Sequence, residues 1–174
     1  MDLLTKRSAV ISDDGKYRYR LDRDLGRDGK TAAFIMVNPS TADAEVDDAT
    51  IRKLIGFSQR LGFGRFIVGN KFAYRATDVS ELKTAADPVG PANDAYLEQI
   101  MSGADIVIAA WGPLAKLPKN RRSRWNFVDH LAMALEKPLH CLGTAQDGQP
   151  RHPLMLAYDT PLTAWRNVLQ TETV

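Results

Sequence analysis

Cysteine is nearly absent from this chain: Cys141 is the only one among 174 residues. A lone thiol excludes an intrachain disulfide and a cysteine-based zinc site, and its place in the apolar run PLHCLG reads as a buried, inert side chain. A reducing, cytoplasmic setting is expected. Long hydrophobic runs are missing too, since no stretch approaches the roughly 20 apolar residues of a membrane-spanning helix. The segment MDLLTKRSAV lacks the charged-then-apolar layout of a secretion signal. A soluble protein with no membrane partner is therefore the expectation. Nor is there a strong excess of charge: 23 basic against 21 acidic residues leave a formal net charge of +2. Bulk electrostatics then cannot drive nucleic-acid binding, and any such contact must be local.

What is present is ordinary for one compact α/β domain spanning 1–174, with 44% apolar and 25% charged residues and no repeat, low-complexity tract or long linker. The segment SAVISDDGKYRYRLDRDL alternates polar and apolar residues on either side of Asp13-Asp14-Gly15-Lys16, which predicts an antiparallel edge hairpin. Four further strands are predicted in AAFIMVN (32–38), RFIVGNKFA (65–73), DIVIAAW (105–111) and PLHCLG (138–143). Each is apolar on both faces, the pattern of a mostly parallel sheet covered by helices on both sides. Between them lie helical patterns. Ile51, Leu54, Ile55 and Leu61 share a face after a capping Asp47 or Asp48. Tyr96, Leu97, Ile100 and Met101 form a second stripe, and Trp125, Val128, Leu131, Ala132 and Leu135 a third. The alternation predicts a three-layer α/β/α domain with a mostly parallel central sheet.

In such a sheet ligands bind beyond the carboxyl ends of the strands. The residues placed there are polar and specific. Asn38, Pro39, Ser40, Thr41 and Asp43 follow the first parallel strand, with Asp47, Asp48 and Thr50 leading into the helix. Asn70, Lys71, Tyr74, Arg75 and Thr77 follow the second, and Trp111 and Gly112 the third, before the basic loop KLPKNRRSR. The fourth leads through QDGQP to Arg151, His152 and Pro153. All four sets are expected to converge on one pocket.

The block MVNPSTAD, the run GNKFAYRAT, the pair Trp111-Gly112 and the ending GQPRHPL together resemble a bacterial and phage family known as domain of unknown function 1643. That resemblance covers residues from about 10 to 160 and brings no activity with it. A more distant one is to the uracil-DNA glycosylase superfamily, whose motifs would correspond in order to Asn38-Pro39-Ser40, Asn70, Trp111-Gly112 and His152-Pro153-Leu154. This chain departs from it at Leu154, where the glycosylases usually have Ser, and at Ser40, where one branch has Gly. No aromatic follows Asn38-Pro39 directly. The resemblance implies a pocket for a flipped or free nucleobase.

Breaking an N-glycosidic bond places charge on the departing base and makes the sugar oxocarbenium-like, so a site needs a donor to the base and an oriented water. In that reading Asn70 and Trp111 hold a base, with Ser40, Thr41 and Gly112 around it. His152 polarises the base, and Asn38 with Asp43 positions a water or other nucleophile. Arg75 and the basic residues Arg121 and Arg122 contact phosphate. No cofactor and no metal is needed. The partner is a nucleobase, a nucleotide or single-stranded nucleic acid.

Each residue also has a plainer role. His152 can be a surface histidine, Asn38 a turn initiator before Pro, Asn70 a buried amide bonded to backbone, and Trp111 a core residue. Asp47 or Asp48 can be a helix cap, Arg52 and Arg75 structural ion-pair partners, and the basic loop a solvated face. Two other functions stay open: a non-catalytic nucleic-acid or nucleotide-binding module, favoured by Leu154, and a metal-dependent phosphate-ester hydrolase using Asp43, Asp47 and Asp48.

Overall fold

The structure is a computed structural model and describes residues 6–166. Its first elements are β1 (Lys6–Ile11) and β2 (Arg18–Asp24), the hairpin expected at Asp13-Asp14-Gly15-Lys16. Gly15 has φ of 73°, and the Ser12 and Gly15 amides close the turn on Tyr17 and Ser12 carbonyls. The chain then runs β3 (Thr31–Met36), α1 (Ala49–Leu61), β4 (Arg65–Asn70), α2 (Asn93–Gly103), β5 (Ile106–Ala109), α3 (Trp125–Ala134), β6 (Leu139–Cys141) and β7 (Thr163–Arg166).

The strands form one seven-stranded sheet in the order β1-β2-β4-β3-β5-β6-β7. β4, β3, β5 and β6 run parallel at its centre. The pairings β1·β2, β2·β4 and β6·β7 are antiparallel. The sheet is thus mixed, where the apolar strand runs alone predict a mostly parallel one. The hairpin turns β2 against β4, and β7, a strand the sequence reading lacks, turns back along β6. β7 is a mostly exposed four-residue stretch, TAWR, with no apolar run to mark it.

Strand alternation splits the packing into two clusters. Phe34, Phe66, Val68 and Ile108 pack with Ile51 and Leu54 of α1. Ala33, Ile35, Ile67, Val107 and Ala109 pack with Leu97, Ile100 and Met101 of α2 and Val128 and Ala132 of α3. Leu54 is fully buried, so truncation to Ala costs about 2–5 kcal/mol. α1 begins where Asp48 accepts a hydrogen bond from the Ile51 amide over 2.9 Å and ends at Gly62 in the left-handed region. Among the described residues no helix is long and apolar enough to cross a membrane.

Candidate functional site

A cavity of about 300 Å³ opens at the carboxyl ends of β3, β4 and β5. Asn38, Ser40, Asn70, Trp111, Gly112 and His152 all line it, so side chains far apart in sequence share its wall. Arg18, Asp48, Thr50, Lys116 and Leu154 line it as well, with apolar surface from Met36, Val37, Ile51 and Val68.

Backbone bonds hold the strand ends in place. The Lys71 and Phe72 amides donate to Met36 and Val37 carbonyls, each over 2.9 Å. Beyond them Asn38 donates through Nδ2 to the carbonyls of Ala76, at 2.8 Å, and Pro39, at 3.1 Å. Its amide nitrogen is therefore spent on the loop, and Oδ1 is the end left for a ligand. The end of β4 is clamped by Asn93, the first residue of α2, whose Nδ2 donates to the Asn70 and Lys71 carbonyls. This fixes Asn70, which is only 2% exposed, with its own Nδ2 lacking any protein partner.

Trp111 lies two residues past β5, 3% exposed, and donates its indole Nε1–H to Gln149 Oε1 over 2.8 Å. Lys71 Nζ lies 5.0 Å from the Trp111 ring centroid, fully buried and without a hydrogen-bond partner. Burial, reinforced by the nearby Arg124 guanidinium, pushes the Lys71 pKa down to about 7. Next to Trp111, Gly112 has φ of 81° and donates its amide to the Pro150 carbonyl over 2.8 Å. A Cβ at Gly112 would sit 3.3 Å from His152 Cβ, so glycine lets the 150–152 segment approach this closely.

His152 precedes a short 3-10 turn, Pro153–Met155, and its Nδ1 accepts the Leu154 amide over 3.1 Å. An accepting Nδ1 places the proton of the neutral ring on Nε2. Burial lowers the His152 pKa, Lys116 lowers it further, and Asp48 opposes them. His152 is thus held as a neutral ring whose Nε2–H can donate. Asp48, the cap of α1, supplies the carboxylate of the cavity.

Other predicted residues lie elsewhere. Thr41 and Arg75 line a shallow groove with Gly15, Ala76 and Thr77 that shares Ser40 with the cavity. Asp43 is not part of the cavity wall; its Oδ1 accepts the Glu45 and Val46 amides at 2.8 Å each, which lowers its pKa. It closes a turn, and the carboxylate that lines the cavity is Asp48. Arg121 donates to the Leu82 and Ala85 carbonyls, and Arg122 to those of Leu117 and Ala115. Arg121 thus ties the loop to the 82–85 segment and Arg122 ties it to itself, both outside the cavity wall, and from that loop Lys116 reaches the wall.

Arg18 is the residue that sequence reasoning missed. It sits in RYRLDRD, where alternation makes an Arg look solvent-facing, yet it is 3% exposed and lines the cavity. Nη1 donates to the Ala42 carbonyl over 3.0 Å, whereas Nε has no protein partner. Burial pushes its pKa down to about 10, with Asp48 opposing.

These features lie within residues 18–154, which match the model of a family described as a protein of unknown function, DUF1643. The chain belongs to the DUF1643 family. No curated protein and no solved structure matches it. The DUF1643 match begins at Arg18 and ends at Leu154, so it spans both outermost residues of the cavity wall. Among the described residues of this DUF1643 chain, no three His, Cys, Asp or Glu side chains gather as metal ligands. Asp47 pairs instead with Arg7 and Arg23, apart from the turn bonds of Asp43 and the cap bond of Asp48.

Proposed function

We propose that this protein is a nucleobase- or nucleotide-directed enzyme that cleaves an N-glycosidic bond or performs related base chemistry in the cavity at the strand ends. The observation that carries the reading is Asn70: a buried amide on the wall of a mostly apolar cavity, clamped through its own backbone, with Nδ2 unpartnered. Buried donors are nearly always satisfied, so an unpaired one on a residue of the cavity wall supports a ligand acceptor there. A flat heterocycle with edge carbonyls matches that donor and the apolar walls.

In the proposed reaction the bond between the anomeric carbon and the base nitrogen breaks, with its electron pair leaving on the base. His152 Nε2–H donates to the departing base. Water adds to the anomeric carbon, oriented by Asn38 Oδ1, and Asp48 accepts its proton. The order of Asn38-Pro39-Ser40, Asn70, Trp111-Gly112 and His152-Pro153 supports a three-layer, uracil-DNA glycosylase-like arrangement as part of this reading. A cytoplasmic location belongs to it as well.

The test is liquid chromatography of reactions with nucleosides, mononucleotides and single-stranded DNA. Wild type is expected to release free base, and His152→Ala and Asn38→Ala to reduce release at least about 100-fold with the fold retained. The second reading, a binding module, draws on Leu154 at the cavity wall. Tight binding with no product would establish it instead.

A further inference from the structure

Arg18 and Asn70 are both more than nine-tenths buried, both line the one cavity, and each has a side-chain N–H with no protein partner: Nε of Arg18 and Nδ2 of Asn70. Among the described residues Arg18 has no ion pair. The carboxylates that influence it, Asp48 and Asp43, direct oxygens to the Ile51 amide and to the Glu45 and Val46 amides. A guanidinium withdrawn from water with no carboxylate against it is costly, and an anion that brings acceptor oxygens offsets the cost.

An amide donor for a heterocycle and a fork for an anion in one small chamber describe a ligand with both parts. We infer that the cavity takes a free nucleoside monophosphate, with its phosphate against Arg18 and its base against Asn70. In a nucleic-acid strand the backbone phosphates are contacted outside the pocket that reads the base, so a guanidinium in the cavity wall beside Asn70 fits a single nucleotide better. The volume of about 300 Å³ also suits one small molecule. Lys116, on the exposed rim, adds positive charge at the entrance.

This inference rests on the base-directed reading above. Joined to it, the reaction is hydrolysis of a nucleoside monophosphate to free base and a pentose 5-phosphate. Water supplies the new oxygen on the anomeric carbon, and the base leaves protonated.

Calorimetric titration tests it with the 5′-ribo- and 5′-deoxyribonucleoside monophosphates, the matching nucleosides, inorganic phosphate and a short single-stranded oligonucleotide. At least one monophosphate is expected to bind ten-fold or more tightly than its nucleoside. Arg18→Gln is expected to remove that difference. If Arg18→Gln fails to fold, the wild-type comparison of monophosphate with nucleoside still decides. Equal binding of the two, or an oligonucleotide that outcompetes its component mononucleotides, overturns this inference and leaves the base-directed reading intact. Binding of inorganic phosphate with no gain from the base supports the anion site and overturns the base-directed reading.

Discussion

The backbone amide of Leu154 donates to Nδ1 of His152 over 3.1 Å, so the histidine that lines the cavity is held in one tautomer by the turn that follows it. Nitrogen-detected NMR is expected to show His152 protonated at Nε2 when neutral, with a titration midpoint below the ordinary 6.5. The lowered value means the fold prefers the neutral ring. Its contribution to stability is full above the unfolded-state value and is lost as pH falls through the lowered folded value. Base release should fall over that same acidic window, since a second proton on Nδ1 displaces the Leu154 amide. A neutral ring protonated at Nδ1 would contradict the tautomer assignment.

Adjacent aspartates should respond oppositely to the same substitution. Asp48→Asn keeps an effective N-cap but removes the carboxylate from the cavity, so stability changes by less than about 1 kcal/mol while base release collapses. Asp47→Asn strips a partner from Arg23, which is fully buried and 2.9 Å from the Asp47 carboxylate. It is expected to cost about 3 kcal/mol or more. Chemical denaturation and product assays on the two variants check this, and a normal activity in Asp48→Asn would remove Asp48 from the mechanism.

Asn70→Leu separates a ligand-binding amide from a structural one. The amide forgoes a buried hydrogen bond at Nδ2, so an apolar replacement costs the fold little, within about 1 kcal/mol. Nucleoside binding should weaken ten-fold or more. A loss of several kcal/mol in stability with binding preserved would assign Asn70 to the framework instead.

Lys71 makes stability depend on pH from the interior. With its pKa lowered to about 7, the neutral amine is the favoured buried form. That stabilisation is full above the ordinary lysine value and is lost as pH falls toward 7. Removing the amine in Lys71→Met should therefore help the fold more at pH 6 than at pH 10. The gain is on the order of a few kcal/mol, reduced by the attraction of the ammonium to the Trp111 face 5.0 Å away. Melting curves of both proteins at the two pH values decide it; a pH-independent difference would place the amine in contact with water.

Much of this architecture is a matter of local pattern. Asp-Gly within alternating residues specifies the hairpin, runs apolar on both faces specify the four central strands, and the pairs Asp47-Asp48 and Gly62/Gly64 bracket α1, of which the structure uses Asp48 and Gly62. Because β3, β4, β5 and β6 are parallel, their polar sequels at Asn38, Asn70, Trp111 and His152 must fall on one edge. That convergence is readable without coordinates, since chain direction alone decides it.

Charge is where local pattern fails. Arg18 meets the cavity because β2 runs antiparallel to β4, which brings the start of one strand to the end of the other; the Arg18 amide donates to the Ala73 carbonyl over 3.0 Å. Asp47 and Asp48 are chemically identical neighbours, yet one lies against Arg23 and the other faces the cavity. Arg121 and Arg122 look like phosphate contacts until their carbonyl partners are seen. The amino-acid sequence by itself determined the hairpin, the central parallel strands and the edge at which their polar ends meet. Only the tertiary structure decided which charges face that edge, because a long ionic side chain settles on whichever partner the folded chain brings within a few ångströms.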